Sequence, residues 1–300
     1  MNSGLNIGDV RIPGRVLAAP MTGVTDLPFR RLAFRLGAAY AATEMVACAE
    51  LARGRPDVVR RAAVGEGLPL MAVQLVGREA DWLAKGARLA AAAVGATDVP
   101  VTLKMRLGWD DASRNAPELA QRAEGAGVRA ITVHGRTRMQ FYRGDADWSA
   151  VALVKAATRL PVIVNGDIVD VATAREALRR SGADGVMIGR GLYGRPWLAA
   201  AIEADLAGEP PPAEPDTAER LAIVTGHLRE SLAFYGDRLG LKIFRKHLGW
   251  YVERAPWPAG PEARRAAKAE LCRLESEREI VAGLARLWLQ GADETPALAA

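Results

Sequence analysis

Seven short apolar runs recur along the first two-thirds of the 300-residue chain, and they alternate with helix-forming stretches. They begin near residues 16, 38, 70, 101, 130, 162 and 185, one βα unit apart. Such alternation is typical of parallel strands joined by helical crossovers. It predicts an α/β fold of the (β/α) barrel type with seven strands, one βα unit short of a closed eight-stranded barrel.

The strands predicted from these runs are Arg15–Met21, Ala38–Met45, Leu70–Val76, Val99–Leu107, Ala130–Val133, Val162–Val164 and Gly185–Ile188. The helices predicted among them cover Pro28–Leu36, Glu79–Ala93, Pro117–Ala126 and Ala172–Arg180. The stretch between Gly77 and Val99 is alanine-rich and helix-forming. It therefore leaves no room for an eighth strand.

A proline-rich segment at residues 208–216 is unsuited to helix or strand, and we interpret it as a linker. It divides a predicted barrel, residues 1–207, from a predicted helical domain, residues 217–300. Helices are predicted there over Ala218–Tyr235, Leu239–Glu253 and Pro261–Leu289, with a loose tail from Gly291.

The bulk properties limit the class of protein. The net charge of +5 is compatible with an anionic partner but is too small to indicate nucleic acid by itself. Two cysteines, Cys48 and Cys272, are too few for a disulfide framework or a zinc cluster, so we expect no metal. The first residues lack a signal peptide, and no apolar run reaches membrane-spanning length. We expect a cytoplasmic, soluble monomer.

The last two apolar runs of the barrel each end in glycine-rich residues, at Asn165-Gly166-Asp167 and at Gly189-Arg190-Gly191. The loops after the last two strands of such barrels commonly bind phosphate through backbone N–H groups. Glycine lets the backbone approach a ligand closely, and Arg190 adds a permanent positive charge. Both segments also suit ordinary turns, with Asp167 as a helix N-cap. Their occurrence in consecutive units favours a ligand that carries a phosphate.

A set of short motifs, in this order along the chain, resembles the tRNA-dihydrouridine synthases, particularly the bacterial B-type branch. The resemblance covers most of the chain, including the helical part with Arg245-Lys246-His247. Each motif is weak alone, but the ordered set is highly specific. The motifs are Ala19–Asp26, Thr43–Met45, Val73–Gln74, Val101–Arg106, His134–Arg138, Asn165–Asp167 and Gly189–Arg190.

The resemblance implies bound FMN, NADPH as the hydride donor, and reduction of the uracil C5–C6 bond in tRNA. Carried over residue by residue, it implies flavin contacts for Pro20, Met21, Thr22, Gln74, Lys104, Asn165, Gly166, Asp167, Gly189 and Arg190. His134 and Arg136, which follow the end of a strand, are expected to contact the flavin or the extruded uracil. The alternative for Lys104 is a surface lysine at the end of a strand.

The RNA contacts that we expect involve Arg136, Arg138, Lys242, Arg245 and Lys246. The last three fall at i, i+3 and i+4 of one predicted helix and form a basic stripe. Three aromatic residues lie near this stripe in sequence: Phe244, Trp250 and Tyr251. A solvated helix face is the alternative interpretation of the stripe.

One departure from the family pattern concerns catalysis. The family carries a βα unit, before the strand that contains Lys104, whose strand ends in Asn-Met-Gly-Cys-Pro. Its cysteine is the general acid that protonates C5 of the uracil. That unit is absent here, which accounts for the missing eighth strand. The catalytic residue is therefore unassigned, with Cys48 and His134 as weak candidates for proton transfer.

The sequence thus favours an FMN-dependent tRNA-uridine reductase whose activity is impaired by the missing cysteine. Two alternatives stay open. One is an inactive relative that still binds tRNA or flavin. The other is an FMN-dependent barrel oxidoreductase that acts on a small molecule.

Overall fold

The computed structural model describes residues 4–65, 68, 70–93 and 99–289. The chain forms two compact units. The first, here called the sheet unit, comprises Met1–Leu192 and Trp197–Pro212. The second, the helical unit, comprises Tyr193–Pro196 and Ala213–Ala300. The division after residue 212 falls inside the predicted linker, whereas residues 193–196, within the predicted barrel, group with the helices. The predicted tail from Gly291 lies outside the described residues.

The strands of the described chain all lie in the sheet unit. They are β1 (Leu5–Ile7), β2 (Val10–Ile12), β3 (Val16–Ala18), β4 (Tyr40–Ala42), β5 (Val46–Ala47), β6 (Met71–Ala72), β7 (Leu75–Val76), β8 (Thr102–Arg106), β9 (Ala130–His134), β10 (Val162–Asn165) and β11 (Gly185–Ile188).

The helices of the sheet unit are α1 (Leu27–Arg35), α2 (Cys48–Ala52), α3 (Pro56–Arg61), α4 (Ala80–Ala93), α5 (Ala116–Gly125), α6 (Trp148–Ala157), α7 (Val171–Ser181) and α8 (Leu198–Ala207). Those of the helical unit are α9 (Thr217–Tyr235), α10 (Asp237–Glu253), α11 (Pro261–Leu271) and α12 (Glu277–Leu289). Single 3₁₀ turns lie at Asp111–Ser113 and Arg190–Leu192.

Seven of the described strands form one parallel sheet in the order β6-β4-β3-β11-β10-β9-β8. Along the chain, β3 is the first of these seven strands and β11 is the last, and the two pair directly. The sheet is open between β6 and β8, which are its two outer strands. This is an α/β fold of the barrel type, as predicted, and the opening lies where the sequence lacks a unit.

Successive side chains of each strand point to opposite faces of the sheet, so the strands contribute to two separate apolar cores. One set of strand residues, including Val16, Ile131 and Val164, packs against the surrounding helices. The alternate set, including Leu17 and Ile163, packs inside the curved sheet with the β1–β2 hairpin. The hairpin therefore closes the inside of the sheet. The polar residues of the interior are found toward the carboxyl ends of the strands.

The predicted third strand, Leu70–Val76, is wrong as a continuous element. It consists of β6, which pairs with β4, and β7, which pairs with β5 in a separate two-stranded sheet. The strand is interrupted at residues 73–74, where the N–H of Gln74 donates to Oγ1 of Thr43 at 2.9 Å. The buried Thr43 side chain thus replaces a ladder hydrogen bond, a substitution that an apolar run cannot reveal.

The predicted helix Pro261–Leu289 is also wrong as a single element. It is interrupted between α11 and α12, where the hydroxyl of Ser276 accepts a hydrogen bond from the N–H of Glu279 at 3.2 Å. Serine competes in this way with helix continuation and favours a new helix start. The break lets α12 fold back, and Leu284 and Trp288 join Leu271 in the core of the helical unit.

Among the described residues, no helix is both long enough and apolar enough to cross a membrane.

Candidate functional site

A row of polar side chains lies at the carboxyl ends of three neighbouring strands. Arg106 of β8 is in register with His134 of β9, and His134 with Asn165 of β10. Residues in register on parallel strands share a face, so these three side chains lie at the same level inside the sheet. The Asn165 amide donates to the carbonyl of Met187 on β11 at 2.7 Å, which extends the row to a fourth strand.

A network of charged side chains, of which only Arg136 is fully buried, adjoins this row. The carboxylate of Asp167 accepts hydrogen bonds from Arg136 at 3.0 Å, from Arg190 at 2.9 Å and from the N–H of Ala146 at 2.8 Å. Burial raises the pKa of Asp167, but the bonds from Arg136 and Ala146 and the two positive charges outweigh it and lower the pKa below its usual value. Asp167 is therefore ionised. With two guanidinium groups and one carboxylate, the network carries one net positive charge.

Arg136 holds the loop after β9. Its side chain is 2% exposed and donates to the carbonyls of Arg143 at 3.3 Å and Gly144 at 2.6 Å, as well as to Asp167. One guanidinium nitrogen also lies 3.3 Å from Nε2 of His134. The guanidinium thus donates hydrogen bonds to several groups of the protein itself. This arrangement favours a positioning role for Arg136 over the direct RNA contact expected from the sequence.

Gly166 is required by its conformation and its neighbours. Its φ is +114°, and a Cβ there would lie 2.8 Å from Cδ2 of His134 and 2.8 Å from Cβ of Ala146. Its carbonyl accepts a hydrogen bond from the indole of Trp148 at 2.9 Å. The backbone of this turn consequently passes directly beside the His134 ring.

The histidine and lysine of the site have shifted pKa values. Burial, reinforced by the positive charges of Lys104, Arg106 and Arg136, lowers the pKa of His134 to about 3. His134 is therefore a neutral imidazole at pH 7, and it is not a source of an imidazolium proton there. Burial and the charge of Arg106 lower the pKa of Lys104 to about 8. Lys104 is consequently still mostly charged at neutral pH.

The stability of the chain is expected to depend on His134 below pH 6.5. In the unfolded chain this histidine takes up a proton near pH 6.5, whereas in the folded chain it stays neutral down to about pH 3. The unfolded state therefore binds more protons in that window, and the free energy of unfolding falls as the pH falls. Between pH 7 and pH 5 the wild type should lose about 2 kcal/mol more than His134→Gln. Urea unfolding at both pH values measures the difference, and equal losses would contradict the buried neutral state.

Two predicted flavin contacts lie on either side of the opening in the sheet. Gln74 follows the outer strand β6, and Lys104 is on the other outer strand, β8. Both side chains are half-buried. The missing strand would therefore lie between the two elements that carry these residues.

The remaining predicted flavin contacts follow β3 and β11. Pro20 and Met21 are half-buried, and Thr22 is exposed. A Cβ at Gly189 would meet only the Met21 sulfur at 3.5 Å and Cβ of Ala19 at 3.7 Å. The ends of these two strands therefore approach each other closely, next to the charge network.

Cys48 does not lie in this cluster. It begins α2 and is completely buried. A Cβ at Gly86 of α4 would come within 2.8 Å of its sulfur, so the thiol packs against that helix. Burial raises the pKa of the thiol. These contacts favour the interpretation of Cys48 as a small core residue over a replacement for the family's general acid.

The residues expected to contact RNA are divided between the two units. Arg138 is exposed on the loop after β9 in the sheet unit, whereas the basic stripe lies on α10 of the helical unit. Lys242 is exposed, and Arg245 and Lys246 are half-buried. The aromatic neighbours expected beside the stripe have packing roles: Phe244 and Tyr251 are in the core, and Trp250 stacks on Tyr193 at 3.7 Å.

Three residues that the sequence did not indicate shape the site. Trp148 holds the Gly166 turn, and Ala146 binds Asp167 through its N–H. Tyr142 lies beneath two guanidinium groups, that of Arg190 at 4.8 Å and that of Arg106 at 5.7 Å. All three lie between β9 and α6 or at the start of α6. No periodic pattern marks such loop residues, although an aromatic residue in a basic loop is a usable signal.

Together, these features define the chain as a barrel-type α/β protein with a positively charged cluster at the carboxyl ends of its strands. The model of the dihydrouridine synthase (Dus) family matches residues 16–94 and 88–280. The chain therefore belongs to the dihydrouridine synthase family, whose members are oxidoreductases.

Relatives with high identity carry the same description. A probable tRNA-dihydrouridine synthase of Rhodobacter capsulatus is 46% identical, over 87% of this chain and 93% of the relative. One of Rhizobium leguminosarum is 44% identical, over 91% of this chain and 95% of the relative. The tRNA-dihydrouridine synthase B of Pseudomonas putida is 38% identical, over 87% of this chain and 89% of the relative.

The same comparisons bear on the opening in the sheet. The alignment with the Rhodobacter capsulatus protein has 303 positions but takes in only 87% of these 300 residues, so roughly 40 positions have no residue of this chain opposite them. The two stretches matched by the family model meet at residues 88–94, at the end of α4. The number of unmatched positions is about the length of one βα unit, and the family match is divided shortly before β8.

Proposed function

We propose that this chain binds FMN and, with NADPH as the hydride donor, reduces specific uridines in tRNA to dihydrouridine. The observation that carries the proposal is the cluster of Arg190, Asp167, Asn165 and His134 at the carboxyl ends of β9 to β11, in a chain of the dihydrouridine synthase family. Bound FMN would supply hydride transfer between the nicotinamide and the uracil ring.

The side of the site formed by β10 and β11 suits the phosphate of such a cofactor. Arg190 is half-exposed, and the network that it forms with Arg136 and Asp167 has one net positive charge. The Asp167 carboxylate accepts hydrogen bonds from the two arginines. We therefore infer that Asp167 binds the phosphate through its backbone N–H. Gly189 has no side chain to cover its backbone, so a phosphate can approach the backbone N–H closely.

The side of the site formed by β8 and β9 suits the flavin ring. Lys104 is charged at neutral pH and would stabilise negative charge that develops on the ring. His134 is neutral, so its imidazole can orient the ring or the uracil by a hydrogen bond without adding a charge. These residues bind and orient, and the source of the proton for C5 is outside the set.

A second candidate function is supported by the opening between β6 and β8. The chain then binds flavin or tRNA without turnover, because the general acid of the family would belong to the absent unit. A third, reduction of a small molecule by an FMN-dependent enzyme, has no separate observation in its favour.

Binding of FMN tests the proposed cofactor. The purified full chain is expected to retain flavin absorbance after excess FMN is removed, and Arg190→Ala should weaken binding by roughly 10- to 100-fold because a charge-assisted hydrogen bond is lost. Titration by flavin fluorescence measures both affinities. Arg159→Ala, which removes an exposed arginine paired with Glu124, is the matched control. Absence of FMN binding by the wild type would count against both enzymatic functions.

The response of NADPH oxidation to tRNA separates the two enzymatic functions. With FMN bound, oxidation that accelerates when tRNA is added supports the tRNA substrate. An NADPH oxidation rate that does not change when tRNA is added would favour a small molecule as the substrate.

A further inference from the structure

Four large apolar side chains are more than half exposed on the two loops that follow β8 and β9. They are Trp109 (62% exposed), Met139 (59%), Phe141 (53%) and Tyr142 (56%), and we call them the aromatic rim. The two loops are joined by backbone hydrogen bonds from Arg138 to Gly108 at 2.9 Å and from Met139 to Trp109 at 2.8 Å. The rim is therefore presented on a fixed backbone.

Arginines accompany the aromatic rings of the rim. The guanidinium of Arg138 lies 4.7 Å from the Phe141 ring, and that of Arg190 lies 4.8 Å from the Tyr142 ring. Arg106 donates to the carbonyl of Phe141 at 2.9 Å and so fixes the loop that carries both rings. Positive charge and flat apolar surface thus alternate along the rim.

Several carboxylates lie on the same two loops. Asp111 and Asp147 both pair with Arg114. Asp110, hydrogen-bonded to the neutral Ser113, and the exposed Asp145 keep their negative charges. The three arginines that contact the rim residues, Arg106, Arg138 and Arg190, outnumber these last two carboxylates.

The rim is continuous with the candidate functional site. The Tyr142 ring lies 6.1 Å from the His134 ring, and Arg190 contacts the rim at Tyr142 while it also pairs with Asp167 in the charge network. A ligand on the rim would consequently lie next to a ligand in the site. Both features follow the carboxyl ends of strands, the face at which barrel-type proteins bind their substrates.

Exposed aromatic rings interleaved with arginines match the chemistry of unpaired nucleotides. Bases stack on aromatic rings, and arginines bind phosphates or stack on bases. A second copy of this chain would bury the apolar side chains, but it would also bring the same arginines together, which is unfavourable. The charge of the rim therefore favours a polyanion.

We propose that the aromatic rim stacks unpaired nucleotides of the substrate RNA that flank the target uridine. This inference rests on the proposed function for the identity of the RNA, and it adds where the nucleotides beside the reacting base are held. The rim residues orient the RNA and take no part in the chemical step.

Substitution of single rim residues in the full chain tests this proposal. Trp109→Ala and Phe141→Ala should each weaken binding of labelled tRNA by roughly 5- to 150-fold, the range for loss of one base stack. Their dependence on salt should match the wild type, since no charge is removed, whereas Arg138→Ala should lower the slope of log K against log salt by about 1. Fluorescence anisotropy at several salt concentrations measures all three. Leu153→Ala, 63% exposed on α6, is the matched control and should leave binding unchanged.

An unstructured, labelled oligouridylate gives a second measurement that does not depend on tRNA modification. If the wild type binds tRNA and the rim variants bind equally well, the rim proposal is overturned and the proposed function stands. If the wild type binds the oligouridylate through the rim but does not bind tRNA, the rim is supported and the proposed function fails. Loss of a concentration-dependent dimer in Trp109→Ala, with RNA binding retained, would reassign the rim to a second copy and overturn the proposal. Binding of neither RNA overturns both.

Discussion

Insertion of the family's missing βα unit between α4 and β8 is expected to raise the rate of dihydrouridine formation by about 10²- to 10⁴-fold, the usual contribution of a positioned general acid. The sheet is open at this position, and roughly 40 positions of the alignment with the Rhodobacter capsulatus relative have no residue of this chain opposite them. The corresponding segment from the Rhodobacter capsulatus relative, grafted at residues 88–98, is expected to supply the strand and the cysteine that the family resemblance implies. Single-turnover kinetics with tRNA that lacks dihydrouridine measure the change.

A matched graft separates closure of the barrel from acid catalysis. The same inserted segment with its cysteine replaced by alanine should stabilise the sheet unit, because the outer strands β6 and β8 acquire partners, yet leave the rate close to that of the original chain. Cys48→Ala in the original chain should leave the rate unchanged, since its buried thiol packs on α4. A graft that folds without increasing the rate would show that the absent unit does not limit activity.

Arg136→Ala is expected to lower the free energy of unfolding by about 1.5–3 kcal/mol, the cost of losing hydrogen bonds to a charged group. The substitution leaves Asp167 with one arginine fewer and removes the donor to the carbonyls of Arg143 and Gly144. Urea unfolding at pH 7 measures the change. FMN binding should weaken as well, because the loop beside the site loses its anchor.

Arg159→Ala serves as the control for this substitution. Its side chain is 95% exposed and pairs with Glu124, so its loss should cost at most about 1 kcal/mol. If Arg136→Ala cost no more than Arg159→Ala, the Arg136–Asp167 pair would not stabilise the fold, and direct contact of Arg136 with RNA would again be the better hypothesis.

The order of the parallel strands and the meeting of their carboxyl ends could be predicted because each depends on a local pattern. Apolar runs one βα unit apart specify parallel strands, and parallel strands bring residues as distant as Lys104, His134 and Asp167 to one edge. The shortfall of one strand was visible in the sequence for the same reason. The sheet is open between β6 and β8, where that strand is missing.

The features that could not be predicted depend on contacts between side chains and distant backbone. The third strand is divided because Thr43 binds the N–H of Gln74. The last predicted helix is divided where Ser276 caps a new helix. The position of Arg136 after a strand end predicted a contact with flavin or RNA, but its burial and its carbonyl partners depend on how the following loop folds. Periodicity contains none of this information.

Mass analysis of tRNA tests the proposed function most directly. The chain is expressed in a strain that lacks its own dihydrouridine synthases, and its tRNA is digested and examined for the gain of two hydrogens at uridine. We expect dihydrouridine at low occupancy that rises when the missing unit is inserted and disappears in Lys104→Met. Complete absence of dihydrouridine from both the original and the grafted chain, with FMN bound in each, would contradict the assignment of this chain as a tRNA-uridine reductase.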